Sequence, residues 1–448
     1  MASAITELLA TFEQDRPFEI EDGKLEQLWI EAADDRLRTQ RTKIPVLDRL
    51  ASEVGTSRIE SLDDLVPLLF AHTAYKSYPK SLLDRKRWDG LAKWLSTVAS
   101  IDVPVLDPSG IDSQDAWLLA LKEAGCPVYA TSGTSGRNSF LPATPADRAF
   151  TQRCILRTAG WQFGLPAEPT LPVVALSPSK GASRVVEYYR SFVELYGLPD
   201  ESMFLSEDEL QLSDLARLAR MTSAIASGDA MPSDIAAFEK ETAERKQHLD
   251  ACWDRLTDRF ESLRERRIIV QGMWAQQWEL VERLRARGHT SFPLDPESFL
   301  GVGGGTKGVN LPDDYREQIF SFYEIDPARR SDGYGMSELS AALPRIGDRY
   351  VPHPWVIMLI LEDDGSARVA DRTGQKDGRF AFLDVSIEGR WGGLISGDRV
   401  TADFDSPRTS IVADSIIRYS ELTGEEDDRL TCAGTLDAFV RNAFEEAK

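Results

Sequence analysis

Apolar residues recur at intervals of three and four through residues 5–100, as in Leu62, Leu65, Leu68 and Leu69 or Trp88, Leu91, Trp94 and Leu95. That spacing lines one face of a helix, so it predicts a helical N-terminal layer. After Pro104 the pattern shortens. Pro127-Val128-Tyr129-Ala130 predicts a short strand that runs into a small-residue loop, and residues 173–176 predict a second strand, ended by Ser177-Pro178-Ser179. Residues 207–267 are helix-rich and charge-rich with a break at Ser227-Gly228-Asp229, the pattern of a solvated helical hairpin.

Arg267-Ile268-Ile269-Val270 predicts a buried strand, and the helix after it carries Trp274, Trp278, Val281 and Leu284 on one face before Gly288 stops it. A strand, a turn and a helix in such close succession predict an α/β fold with a largely parallel sheet. From Trp355 the period changes again. Residues 356–361 and 367–370 around Asp363-Asp364-Gly365 predict a hairpin, and residues 380–385 and 393–400 predict further strands. The expected layout is a helical layer over 1–100, an α/β core over 101–345 in which helices sandwich mixed, largely parallel sheets, and a β-rich part over 346–432.

The 448 residues exceed the ~100–200 of an ordinary domain, which favours one large domain or two associated lobes. With 52 basic against 73 acidic residues the formal charge is −21. Such a surface repels nucleic-acid backbones and anionic membranes, so neither is an expected partner. Cys126, Cys154, Cys252 and Cys432 form no C-x-x-C pair, and His72, His248, His289 and His353 show no metal spacing. The first fifteen residues lack the basic start and apolar core of a signal peptide, and no apolar run reaches the ~18 residues of a membrane helix. The expectation is a soluble, cytoplasmic protein.

Thr131-Ser132-Gly133-Thr134-Ser135-Gly136-Arg137 combines two glycines, two threonines, two serines and a guanidinium. Small residues let backbone N–H groups turn inward, hydroxyls add donors, and Arg137 can neutralise phosphate charge. The segment suits a triphosphate, although it fits neither the P-loop pattern nor a dinucleotide fingerprint; read alone, a flexible surface loop fits it too. Gly303-Gly304-Gly305-Thr306-Lys307-Gly308 offers bare backbone to a flat ligand, and the ring of Tyr334, between Gly333 and Gly335, offers a face to a base. Glu338 adds an oxygen ligand suited to Mg²⁺, or caps a helix. Asp398, in Ser396-Gly397-Asp398-Arg399 at the end of a predicted strand, can accept from ribose hydroxyls, or belong to a simple turn.

In order, spacing and strand context these segments resemble the successive core motifs of the adenylate-forming superfamily of acyl-CoA synthetases, adenylation domains and firefly luciferase, over roughly residues 100–440. The helical N-terminus, the Ser-Gly-Thr-Ser-Gly loop and Val351-Pro352-His353-Pro354-Trp355 resemble most the branch of phenylacetate-CoA ligase and the acyl-protein synthetase of bacterial luminescence. The resemblance implies ATP-dependent activation of a carboxylic acid as an acyl-adenylate, with Mg²⁺, followed by transfer to CoA, a carrier-protein thiol or an amine. It implies that Thr131, Ser132, Gly133, Thr134, Ser135 and Gly136 hold the β- and γ-phosphates beside Arg137. It further implies that Gly303, Gly304, Gly305 and Tyr334 sandwich the adenine, that Asp332 accepts from its amino group, and that Ser337 lies near the α-phosphate. Glu338 would ligate Mg²⁺, Asp398 would bind the ribose, and Met273 and Trp274 would line the acid's pocket.

Relatives carry a C-terminal lid whose lysine contacts the reacting carboxylate. Residues 433–440 resemble the hinge into that lid, with Thr435 where Arg is usual, and the chain ends at Lys448. The resemblance therefore implies a remnant hinge over 433–448, with Lys307 as candidate substitute for the lid lysine or a second chain completing the site. Cys432 is a candidate acyl acceptor or an incidental thiol, and His353 is expected to be structural. A non-catalytic nucleotide- or acyl-binding scaffold stands as the alternative to the enzyme.

Overall fold

The computed structural model describes residues 3–14, 17–131, 138–165, 168–304 and 310–423. The chain divides into two units, Met1–Thr151 with Met336–Lys448, and Gln152–Gly335.

The first unit opens with α1 (Ala4–Ala10), α2 (Asp22–Gln40), α3 (Pro45–Glu53), the strand β1 (Phe70–Ala71), α4 (Lys80–Asp84), α5 (Trp88–Val98) and α6 (Gln114–Glu123). Caps fix their starts: the Ser3 hydroxyl accepts from the Thr6 N–H, the Ser113 hydroxyl from the Ala116 N–H, and Pro45 opens α3. As expected, α5 buries Trp88, Leu91, Trp94 and Leu95. The helical reading of Leu62, Leu65, Leu68 and Leu69 does not hold. They are buried, but in turns and a short 3₁₀ segment, Val66–Leu68, because Pro67 supplies no N–H and the chain must extend at once into β1.

The antiparallel hairpin of β2 (Val128–Ala130) and β3 (Phe140–Pro142) follows. Its Phe140 ring lies 5.1 Å from Tyr78 and 5.4 Å from Trp117, so the helical layer seats the hairpin. At the start of α7 (Pro145–Phe163) Thr144 and Asp147 exchange a reciprocal capping pair, and the Asp147 carboxylate also accepts from the N–H groups of Glu388 and Gly389 at 2.7 and 2.9 Å.

The second unit alternates β4 (Val173–Gly181), α8 (Arg184–Tyr196), β5 (Met203–Leu210), α9 (Leu212–Ser227), α10 (Pro232–Glu261), β6 (Ile269–Met273), α11 (Trp274–Ala286), β7 (Phe299–Gly303), α12 (Tyr315–Tyr323) and β8 (Arg330–Ser331). The sheet runs β5-β4-β6-β7-β8 with every pair parallel. Consecutive strand residues point to opposite faces. Val174, Val270 and Leu300 pack with Trp253, Phe260 and Leu280, while Val173, Ile269 and Phe299 pack with Phe192 and Tyr196. Both faces are covered by helices, which is why these strands read as unbroken apolar runs.

Two expectations change here. Strand β4 does not stop at Ser177-Pro178-Ser179 but runs on to Gly181. Its ladder to β6 ends at Ala175, so Pro178 costs no hydrogen bond on that side, and the ladder to β5 absorbs the proline by register shifts. The hairpin of α9 and α10 turns at Gly228, with φ +78°, but is solvated only in part: Cys252, Trp253, Leu256 and Phe260 of α10 enter the core.

After the short strand β9 (Gly333–Tyr334) the chain returns to the first unit with β10 (Leu343–Ile346), β11 (Arg349–Tyr350), β12 (Val356–Leu361), β13 (Gln375–Asp384), β14 (Gly393–Asp403), β15 (Ser410–Val412), β16 (Ile417–Arg418) and α13 (Tyr419–Thr423). Strands β12, β13, β14, β15, β11 and β10 are neighbours in that order. The turn at Asp364-Gly365 forms, but residues 367–370 add only a single bridge from Leu361 to Arg368, and β12 takes β13 as its partner over six register pairs. Strand β14 pairs with β13 on one side and successively with β1, β16 and β15 on the other.

Candidate functional site

In the second unit, parallel pairing places Gly303 opposite Met273 and Gly301 opposite Ser331. The carboxyl ends of β6, β7 and β8 therefore gather Met273, Gly303, Gly304, Asp332 and Tyr334 along one edge, the side on which open α/β sheets take ligands. Gly304 has φ +76°, and a Cβ there would stand 3.1 Å from the Met273 sulfur, so both conformation and space call for glycine. Met273, Asp332 and Tyr334 are half-buried. Trp274 is turned into the core, edge-on to Tyr315 at 5.4 Å and to Phe320 at 5.7 Å.

In the first unit lie Thr131, Ser337, Glu338 and Asp398. Beyond the last ladder pair of β2 and β3, the Thr131 N–H donates to the Ser139 carbonyl at 3.2 Å and the Ser139 N–H to the Thr131 hydroxyl at 2.9 Å. The Asn138 amide donates to the Thr131 carbonyl, and the Tyr78 hydroxyl donates to the Asn138 carbonyl at 3.0 Å. Thr131 is thus pinned. Ser132, Gly133, Thr134, Ser135, Gly136, Arg137, Gly305, Lys307 and Cys432 lie outside the described residues.

Ser337 and Glu338 form a half-buried turn. The buried Arg390 guanidinium donates to the Glu338 carbonyl at 2.8 Å and to the Pro142 carbonyl at 3.1 Å, which ties this turn to the strand returning from the small-residue loop. Burial pushes the Tyr75 hydroxyl's pKa up, Arg390 pulls it down and Glu338 pushes it further up, so the carboxylate, guanidinium and phenol share one electrostatic neighbourhood. Sequence reasoning missed Arg390 and Tyr75. Arg390 sits in Glu388-Gly389-Arg390-Trp391, which carries no motif, and only its burial marks it.

Asp398 owes its position to a break in register. Between Ala381 opposite Ile395 and Arg379 opposite Arg399, β13 advances two residues while β14 advances four, so Ser396-Gly397-Asp398 bulges from the ladder. The bulge is held by the Asp398 N–H to the Ser396 hydroxyl at 3.1 Å and by the Arg379 guanidinium to the Ser396 carbonyl at 3.3 Å. Arg379 also donates to the Asp363 carbonyl and lies 3.6 Å over the Tyr419 ring. Asp398 is buried, its side chain 6% exposed, with the Arg418 guanidinium 3.6 Å from the carboxylate. Glu338 and Asp398 offer hard oxygen donors, the chemistry that suits Mg²⁺ and ribose hydroxyls.

His353 is fully buried, stacks on Trp355 at 4.5 Å and contacts the Ala342 carbonyl through Nε2 at 3.0 Å. Burial pushes its pKa down to about 4, so the ring is neutral and donates that bond. Arg408, also buried, donates to the carbonyls of Pro352 and His353 and lies 5.3 Å over Trp29. These contacts make the Val351-to-Trp355 segment a structural strut.

The α/β fold is shared with a solved acid-CoA ligase. Among solved structures the chain resembles 2-hydroxyisobutyryl-CoA ligase. In complex with 2-HIB-AMP and CoA in the thioesterification state, that protein superimposes with a TM-score of 0.53 at 14% identity, covering 90% of this chain and 69% of the ligase. In the postadenylation state with 2-HIB-AMP the TM-score is 0.52 at 13% identity, covering 91% and 73%. At such identity the likeness is one of fold. No family model matches the chain, and no curated protein matches it. Among the described residues no helix is long and apolar enough to cross a membrane.

Proposed function

We propose that this protein activates a carboxylic acid with ATP as an acyl-adenylate, releasing pyrophosphate, and passes the acyl group to a thiol or amine acceptor such as CoA or a carrier-protein thiol. The observation that carries this reading is the gathering of Gly303, Gly304, Asp332 and Tyr334 at the carboxyl edge of a parallel sheet, in a fold shared with a ligase solved with 2-HIB-AMP.

In the reaction a carboxylate oxygen attacks the α-phosphorus and the bond to pyrophosphate breaks, so catalysis is alignment of two anions and stabilisation of spread negative charge. Gly303, Gly304, Gly305 and Tyr334 bracket the adenine, and Asp332 accepts from its amino group. Thr131, Ser132, Gly133, Thr134, Ser135, Gly136 and Arg137 take the phosphates. Ser337 serves the α-phosphate, Glu338 the Mg²⁺ and Asp398 the ribose. Lys307 supplies the cation for the reacting carboxylate, and Met273 defines the acid's apolar side, while Trp274 supports it from within the core.

The test is acid-dependent exchange of labelled pyrophosphate into ATP across short hydroxy, fatty, aromatic and amino acids. At least one acid is expected to support exchange, and Glu338→Gln to lower it ~10-fold or more, with a smaller change in ATP affinity. ATP binding without exchange for any acid sinks the enzyme and leaves the nucleotide-binding scaffold.

A further inference from the structure

Outside that site, one group of side chains brings three different metal-ligand types together. Asp208 lies near the end of β5, an edge strand of the parallel sheet, and His248 and Cys252 lie one helical turn apart on α10, which packs against that strand. Their ligand atoms lie within 4.8 Å of one another, a convergence found nowhere else among the described residues. His248 Nε2 stands 2.6 Å from an Asp208 oxygen and 3.7 Å from the Cys252 sulfur. The sequence spacing of the histidines alone gave no sign of this, because one ligand is a cysteine and another comes from a strand forty residues away.

The arrangement separates two chemistries. A Cys–His–Asp relay needs the two imidazole nitrogens to face different partners, one the thiol and the other the carboxylate. Here the same nitrogen, Nε2, faces both, so the ring cannot pass a proton along the line. One small cation replacing the shared proton would instead meet a nitrogen, an oxygen and a sulfur together. Tetrahedral zinc, with bonds of about 2.0–2.3 Å, separates its ligands by roughly 3.3–3.8 Å, which the histidine–cysteine pair already matches. The Asp208 and His248 side chains are 57% and 60% exposed, free to open from their hydrogen-bonded distance and leaving a fourth position to water. Cys252 is 1% exposed at the rim of the apolar core, and the Arg255 guanidinium donates to its sulfur at 3.2 Å. Thiolate and carboxylate together cancel a 2+ charge.

We propose that Asp208, His248 and Cys252 form a site for a divalent, borderline-soft cation of the Zn²⁺ type, with water as fourth ligand. Sulfur, imidazole and carboxylate donors select Zn²⁺ or Co²⁺ over Mg²⁺ and Ca²⁺.

Co²⁺ titration of the chelator-treated full chain tests it. One equivalent is expected to give a thiolate-to-cobalt charge-transfer band and tetrahedral d–d bands, both abolished by stoichiometric Zn²⁺. Cys252→Ser is expected to remove the charge-transfer band, and His248→Gln, an exposed change that spares the fold, to weaken binding at least 10-fold. Asp208→Asn is expected to weaken it less. Absence of the band in the wild type, or its survival in Cys252→Ser, overturns the site. So does equal affinity in His248→Gln, since the bound metal would then sit on other groups.

Discussion

The two units hold their candidate residues by different means. In the second unit the backbone does the positioning: a parallel ladder fixes Gly303 against Met273 and Gly301 against Ser331, and glycine leaves the edge bare. In the first unit buried arginines do it. Arg390 bonds the carbonyls of Glu338 and Pro142, Arg379 those of Asp363 and Ser396, and Arg408 those of Pro352 and His353, each beside an aromatic ring. A regular ladder satisfies its own polar groups; irregular loops do not, and a guanidinium with five fixed donors can close two of them at once. Structure carried by ladders is spread over many weak increments, whereas structure carried by guanidinium struts is concentrated in few residues.

Breaking a strut is therefore expected to have the largest effect. Arg390→Met leaves two buried carbonyls without a donor and is expected to lower stability by about 3 kcal/mol and to impair pyrophosphate exchange, read by urea unfolding and by the exchange assay. Arg390→Lys should recover only part, because an ammonium cannot span both carbonyls; full recovery would reduce the strut to a mere charge.

A comparable effect is expected from pH through His353. Its folded pKa of about 4 lies below the ordinary 6.5, so the folded state binds the proton more weakly than the unfolded chain does. This contribution is complete above about pH 6.5 and is lost as pH falls towards 4, a total of about 3 kcal/mol. The stability difference between the wild type and His353→Gln should shift against the wild type across that window; parallel curves would show that the buried ring is not the acid-sensitive group.

The ladder side is expected to respond least. Gly304→Ala must adopt φ +76° and displace the Met273 sulfur, at a cost of about 1–2 kcal/mol, with weaker ATP binding by calorimetry. If this change cost more than Arg390→Met, the contrast between the units would be reversed.

The same contrast decides what could be read from the chain. Apolar runs identify the strands of Val173 and Ile269 because each buries both faces, and small-residue motifs mark Thr131, Gly303 and Tyr334, whereas strand β7, Phe299–Gly303, is not read from the chain. Arg390, Arg379 and Tyr75 leave no local pattern, since what selects them is a carbonyl or carboxylate far along the chain. Leu62 to Leu69 had a helical spacing and no α-helix, for Pro67 and the demands of β1 outweigh periodicity. The bulge at Ser396-Gly397-Asp398 could be read as a turn at a strand end, but its register depends on β13 and is invisible in β14 alone.

Strand β14 carries one more consequence, in time rather than in space. Phe70 of β1 takes its place only against Leu394, more than 300 residues later in the chain. At ~5–20 residues per second a ribosome needs roughly 15–65 s to cover that interval. The strands of the parallel sheet, Val173 to Ser331, are all made within it, so that sheet can assemble while β1, made earlier, still waits for its partner. Strand β1, made before the parallel sheet, is seated after it.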